Sequence, residues 1–341
     1  MSFLLTIIEV IFLIGFLIFI HEGGHYIAAR ICKIKVKEFA IGFGPKIYQK
    51  QGKETLFTLR AIPLGGFNDI LGESERVEDK DAFCNAKISK RIFIILAGGL
   101  VNIFFGVLVY FAVAMIGTNF PTTTIESFME EGKIAESGIE AGDTIIQIDD
   151  TIIDTKTDLE RYMIHSTGED VNVKVRKPNG EEKTYLVEQT EYNGAYILGI
   201  TVTAEDYLAF GDRMKFAAEA TTTFIYKTYV NLVKMFTGNF RMEQLVGPIG
   251  ITELVAESNT LDNFVYLLSV ISISLGITNL LPLPALDGGK FVLLVIEGIR
   301  RKPFKEETEL TISSIGFIFL ISLAIFVSIN DLVWVLRGVI E

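Results

Sequence analysis

Four stretches of the chain are apolar for long enough to change what the rest of it can be. Between Glu9 and His21 every residue is apolar or glycine, and residues 92–125, 263–286 and 310–330 carry no charged side chain. About 20 apolar residues in a helix match the hydrocarbon thickness of a bilayer. The pattern predicts spans over 3–27, 92–116, 263–284 and 310–336. The first is expected to be retained rather than cleaved: it lacks a basic n-region, holds Glu9 inside its apolar run, and has no small-residue cleavage site before His21.

Between the spans the period changes. Residues 34–68 alternate apolar and polar positions and contain Gly42-Phe43-Gly44-Pro45 and Pro63-Leu64-Gly65-Gly66-Phe67, which predicts short strands with tight turns. Residues 69–90 are polar and predict a surface loop. Residues 120–203 predict a small β-rich domain: strand 144–148, a turn at Asp149-Asp150 into 151–153, a short helix 158–165, and a hairpin of 171–177 with 181–187 around Pro178-Asn179-Gly180. This order fits a PDZ-like fold, which binds extended peptides by strand addition. Residues 208–236 have helical periodicity but include Lys215, Glu219, Lys227 and Lys234, so an interfacial amphipathic helix is expected there rather than a span, with packing on the β-rich domain as the other reading.

Half of the 341 residues are hydrophobic, a fraction soluble domains share; the distribution, not the total, excludes a soluble enzyme, a disordered tail protein and a secreted disulfide scaffold. The net charge of −11 arises in residues 117–261, with 24 Asp/Glu against 12 Lys/Arg, a poor surface for nucleic acid. Four cations fall within residues 300–305, and 13 of the 64 residues from 28 to 91 are Lys or Arg. By the positive-inside rule these two segments face the cytoplasm, and the acidic region and both termini face outward. Cys32 and Cys84 are too few for a disulfide framework or a Cys-based zinc motif and are expected to be reduced structural thiols.

The candidate chemistry begins at His21-Glu22-Gly23-Gly24-His25. Histidines at i and i+4 share a helix face and can reach one Zn²⁺, with the intervening Glu placed to take a proton from water. Ionisable residues inside an apolar helix are costly unless functional or paired; Glu9, nearer the outer end, is expected to be interfacial or paired. A catalytic zinc takes three protein ligands. The third histidine, His165, lies in the outer domain, so the remaining ligand must come from another membrane-level segment. Asp287 is the candidate, ending the uncharged run in Asn279-Leu280-Leu281-Pro282-Leu283-Pro284-Ala285-Leu286-Asp287-Gly288-Gly289, where two prolines break the helix at membrane depth. Asn279 could bond a substrate backbone, an oxyanion or a neighbouring helix.

With these motifs assembled, the chain resembles the site-2 protease family of intramembrane zinc metalloproteases, in its bacterial RseP/RasP-type branch with a single PDZ domain. The resemblance spans nearly the whole chain. It rests on residues 21–25 followed by Ala28-Ala29-Arg30, on the two glycine-rich motifs of 34–68, on Asn102, on residues 138–143, on Gly247-Pro248-Ile249-Gly250-Ile251, and on residues 279–289. It implies that His21, His25 and Asp287 ligate Zn²⁺, that Glu22 is the catalytic base, that Asn279 handles substrate, and that the strands of 34–68 form a membrane-associated β-loop. Two positions depart from the family pattern: Gly23 replaces a larger residue, and Gly99 stands where proline is usual, which questions the shape of the start of that helix.

The expected architecture is a polytopic α-helical membrane protein: a first helix with the zinc motif (1–33), the β-loop and cytoplasmic loop (34–90), a second helix (91–118), an extracytoplasmic PDZ-like domain (119–204), an amphipathic helix and connecting segment (205–262), a third transmembrane segment (263–299), a basic loop (300–309) and a fourth helix (310–341). The resemblance implies hydrolysis of peptide bonds in single-span membrane proteins already trimmed outside, such as anti-sigma factors or remnant signal peptides, in a bacterial inner membrane. Two other readings use the same residues: a catalytically silent membrane scaffold recruiting partners through the PDZ-like domain, and a zinc transporter, which would need more ionisable residues in the spans than this chain has.

Overall fold

A computed structural model of the chain describes residues 3–117, 120–129, 132–192, 195–205, 208–237, 247–258 and 260–340. Two compact units emerge, residues 1–109 with 246–341, and residues 110–245.

The first unit opens on α1 (Phe3–Ile31), a proline-free run of 29 residues. It is followed by β1 (Val36–Gln51), β2 (Leu56–Ile70) and α2 (Ile88–Ile116). β1 and β2 pair antiparallel through repeated register shifts. Residues 46–51 face 56–60, while residues 38–41 lie between 66–69 on one side and 56–59 on the other, which makes 46–51 and 66–69 the outer segments. Gly42 and Gly44 hold φ of 86° and 82°, so the strand bends where the sequence has Gly42-Phe43-Gly44-Pro45. Val36, Phe39 and Ala40 are buried, and residues 43–51 project outward.

The second unit carries β3 (Phe120–Phe128), β4 (Thr144–Ile148), β5 (Thr151–Ile152), α3 (Lys156–Ile164), β6 (Val171–Arg176), β7 (Glu182–Val187), β8 (Thr190–Tyr192), β9 (Ala195–Ile197), β10 (Ile200–Glu205) and α4 (Phe210–Phe236). The main sheet runs β10-β3-β4-β6-β7, with β5 beside β4 and a separate β8-β9 pair. In β6 the Val-Asn-Val-Lys-Val-Arg alternation turns Val171, Val173 and Val175 into a core with Ile125, Ile145, Ile148, Leu159 and Val187. α3 begins with a capping box between Thr155 and Asp158. Asp143, fully buried, accepts the Glu140 N–H at 2.9 Å and meets Lys177 at 3.0 Å. α4 packs on α3: Lys227 reaches Glu160 at 2.7 Å and Arg161 donates to Thr223 at 2.7 Å. Lys227 and Lys234 thus have partners on α3 and Lys215 pairs with Glu219 on α4 itself, while Phe210, Met214, Tyr229 and Val233 stay exposed. Residues 238–246 of the connecting segment lie outside the described residues.

The chain then returns to the first unit with α5 (Pro248–Glu257), α6 (Leu261–Asn279), α7 (Asp287–Arg300) and α8 (Glu306–Ile340). The Asp331 carboxylate of α8 caps α5 by accepting the Gly250 N–H at 3.0 Å and the Gly247 N–H at 3.4 Å. α2 and α6 meet at glycines: a Cβ on Gly276 would stand 2.6 Å from the Gly99 carbonyl oxygen. Ser272, fully buried, donates to the Asn102 carbonyl at 2.8 Å across the same seam. Gly99 therefore lies inside an unbroken α2, not at a helix start, and its role is close approach. α6 stops at Asn279, short of the predicted 284, so the prolines occupy the connection to α7 rather than a kinked helix.

Leu4–Ile31, Ile88–Ile116, Leu261–Asn279 and Glu306–Ile329 are each long and apolar enough to cross a bilayer. The chain is a multi-pass membrane protein with a β-rich region.

Candidate metal centre

α1 places His21 and His25 one turn apart, with their Nε2 atoms 3.2 Å from each other and ring centroids 4.8 Å apart. His25 Nδ1 donates to the Ile94 carbonyl of α2 at 2.8 Å. That bond puts the ring proton on Nδ1 and leaves Nε2 free to ligate. Gly98 of α2 faces both rings.

Asp287 arrives from the far end of the chain at the first position of α7. Its Oδ2 lies 3.2 Å from each histidine Nε2. Several features set it there. The prolines end helical continuity after α6. Ala285 is held at φ +73°, a conformation L-residues rarely adopt. A Cβ on Gly288 or Gly289 would meet a carbonyl oxygen of residue 281 or 283 at 2.2 Å, so only Gly-Gly lets the connection fold over the helix start. α7 is fixed further along by Glu297, which accepts from Arg91 of α2 at 2.6 Å, and by Lys290, which donates to Glu73 at 2.7 Å.

The three side chains are 10–15 % exposed, and among the described residues they form the one cluster of three such ligands. Their donor atoms outline a triangle with 3.2 Å sides. A tetrahedron with edges of that length has a centre-to-vertex distance of about 2.0 Å, the length of a Zn–N or Zn–O bond. Two neutral imidazoles and a carboxylate leave one vertex open, the donor set and vacancy count of a catalytic zinc site. The residues fit the ion.

Glu22 lines the same cavity, of about 240 Å³, together with Asn68, Glu73 and Lys290. Its Oε2 accepts from Asn68 Nδ2 at 2.8 Å. Asn279 is not among the lining residues; it ends α6, half-buried. His165 is in the second unit, hydrogen-bonded to the Tyr226 hydroxyl at 2.7 Å. Asn68 fell within the predicted strands of 34–68 but was not singled out there, since the glycine-rich motif ends at Phe67. The available signal was one polar residue near the end of a strand of mixed polarity, too common to single out.

A family model described as Peptidase family M50 matches residues 9–323. A protein of Clostridium acetobutylicum provisionally named a zinc metalloprotease is 32 % identical, over 98 % of this chain and 99 % of its own. One of Fusobacterium nucleatum with the same provisional name is 29 % identical, over 98 % and 99 %. The zinc metalloprotease RasP of Bacillus licheniformis is 28 % identical, over 96 % of this chain and 98 % of its own.

Proposed function

The chain belongs to peptidase family M50, the site-2 protease family of membrane zinc metalloproteases, and on that premise we propose which of its residues hydrolyse peptide bonds within the membrane and how. His21, His25 and Asp287 hold the zinc; the observation that carries this is the 3.2 Å triangle of their donor atoms. Bound there, zinc supplies a Lewis acid that acidifies water and polarises a carbonyl. Glu22 accepts the proton of the attacking water on its carboxylate and hands it to the leaving amine. Ile94, through its carbonyl, holds the His25 ring in the ligating tautomer. Asn279, at the C-terminal end of α6, is assigned to the substrate backbone.

Substrates are single-span membrane proteins, since a helix must first be unwound to expose its carbonyls. Outer segment 66–69 of the β1–β2 hairpin offers unpaired backbone groups to an extended strand, and it lies beside Glu22: a Cβ on Gly66 would be 3.4 Å from Glu22 Cγ. The β-rich unit, with its six-stranded sheet and α3, is the PDZ-like domain and acts outside the membrane as a docking or size gate for substrates already trimmed there. The basic stretch 300–305 and residues 28–91 support a metal centre toward the cytoplasmic side of a bacterial inner membrane.

Glu22→Gln in the purified full-length protein should retain zinc and lose cleavage of a single-span substrate by at least about 10²-fold, within the usual contribution of a general base. Undiminished cleavage, read by mass spectrometry of the products, removes Glu22 from the mechanism.

A further inference from the structure

A glutamate side chain turns freely about several bonds, and proton transfer requires it to be held within hydrogen-bond reach of water. For Glu22 the constraint comes from β2. Asn68 Nδ2 donates to Glu22 Oε2 at 2.8 Å and to the Glu22 carbonyl oxygen at 2.7 Å. Both partners are acceptors only, so the amide can face them one way: its NH₂ toward Glu22, its Oδ1 away. Oδ1 is buried and has no hydrogen-bond partner among the described residues. The one donor group of the side chain is thus directed wholly to Glu22. Asn68 also sits opposite Phe39 in the outer hairpin segment, so the backbone offered to substrate and the side chain that holds the base belong to the same strand.

We propose that Asn68 is a positioning residue of this peptidase: its amide holds the Glu22 carboxylate at the metal cavity and ties the base to the hairpin segment that receives substrate. This rests on the reading of Glu22 as the base.

Asn68→Asp has the shape of the native side chain but presents acceptors where the donors were, whereas Asn68→Ala removes both. The test compares the two with wild type and Glu22→Gln, using full-length zinc-loaded protein and a single-span peptide, with zinc content read by mass spectrometry. Both Asn68 variants should lose kcat by about 10–100-fold, with KM and zinc content within about twofold of wild type. In the Glu22→Gln background, Asn68→Asp should lower the residual rate no further, because the two residues act as one unit. Wild-type kcat in Asn68→Asp overturns the proposal, as does a loss that appears in KM alone or that follows zinc content. If Asn68→Ala does not fold, Asn68→Asp decides by the same readouts; if neither folds, the role is structural and the proposal fails. Undiminished cleavage by Glu22→Gln would remove the base and this inference together. Cleavage lost in Glu22→Gln yet kept in Asn68→Asp would remove this inference alone.

Discussion

A methyl group at residue 98 would stand 2.2 Å from His25 Nε2 and 2.8 Å from His21 Cε1. No rotamer change of one ring escapes this, because His25 is also tethered to the Ile94 carbonyl and His21 shares the same cleft. Gly98→Ala should therefore push the imidazoles off their ligating geometry and weaken zinc affinity by about 10–100-fold or more, the scale seen when groups supporting a ligand are lost; a competition titration against a chelator measures it. Gly23 is the control. Although it sits inside the zinc motif, nothing lies within 4 Å of a Cβ placed there. Gly23→Ala should keep zinc affinity unchanged and stabilise the helix by about 0.5–1 kcal/mol, the usual gain from replacing an interior helical glycine. The departure of Gly23 from the family pattern is thus harmless in space, and that of Gly99 serves the approach of α6. Neither fact could be read along the chain, since each depends on which atoms of a different helix lie opposite.

At the scale of elements, α3 shows how a short helix is fixed by both of its ends. Thr155 and Asp158 close the first turn, and near the other end the Tyr162 hydroxyl donates to Asp149, which also accepts the Asn172 N–H at 2.9 Å. These donors hold the Asp149 carboxyl below its ordinary range, and burial together with Asp149 lifts the Tyr162 hydroxyl to about 12. Because Asp149 is more acidic folded than unfolded, its contribution is complete above the unfolded pKa of about 3.9 and disappears as pH falls through the folded value. Tyr162→Phe should thus destabilise the β-rich unit by about 1 kcal/mol at neutral pH, and the gap from wild type should narrow at acid pH, as Asp149 becomes protonated. Thermal unfolding of the full-length variants at both pH values reads it, and a gap independent of pH would assign the effect to packing. These elements were largely visible beforehand: the strand at 144–148, the hairpin around Pro178-Asn179-Gly180 and the long helix from 210 follow from period-2 and period-3.6 patterns with clear turn residues. The end of α6 was less visible, because apolar residues continue to Leu286 and hydropathy alone does not mark where hydrogen bonding stops.

For the whole molecule, charge decides orientation. In the proposed topology, with four crossing helices, the positive-inside rule puts the cations at 300–305 and across 28–91 on one side and the acidic 117–261 on the other. After Cys32 and Cys84 are replaced by serine, a single cysteine at the exposed Asn179 turn should react with a membrane-impermeant maleimide in intact spheroplasts, and one at the exposed Lys302 only after lysis. The reverse pattern would invert the proposed topology.

Local pattern along the chain already establishes that it lives in a bilayer, where strands interrupt the helices, and which two imidazoles share a helix face. These are consequences of local period and of solvent preference, and neighbouring residues suffice to express them. It also offered Asp287 as a partner, by elimination rather than by geometry. It took the folded chain to bring that carboxylate within 3.2 Å of both rings across more than about 260 intervening residues, to leave Asn279 off the cavity and to set Asn68 against Glu22. Such pairings depend on distances between segments remote along the chain, fixed by glycine contacts, ion pairs and turns whose partners no local pattern names.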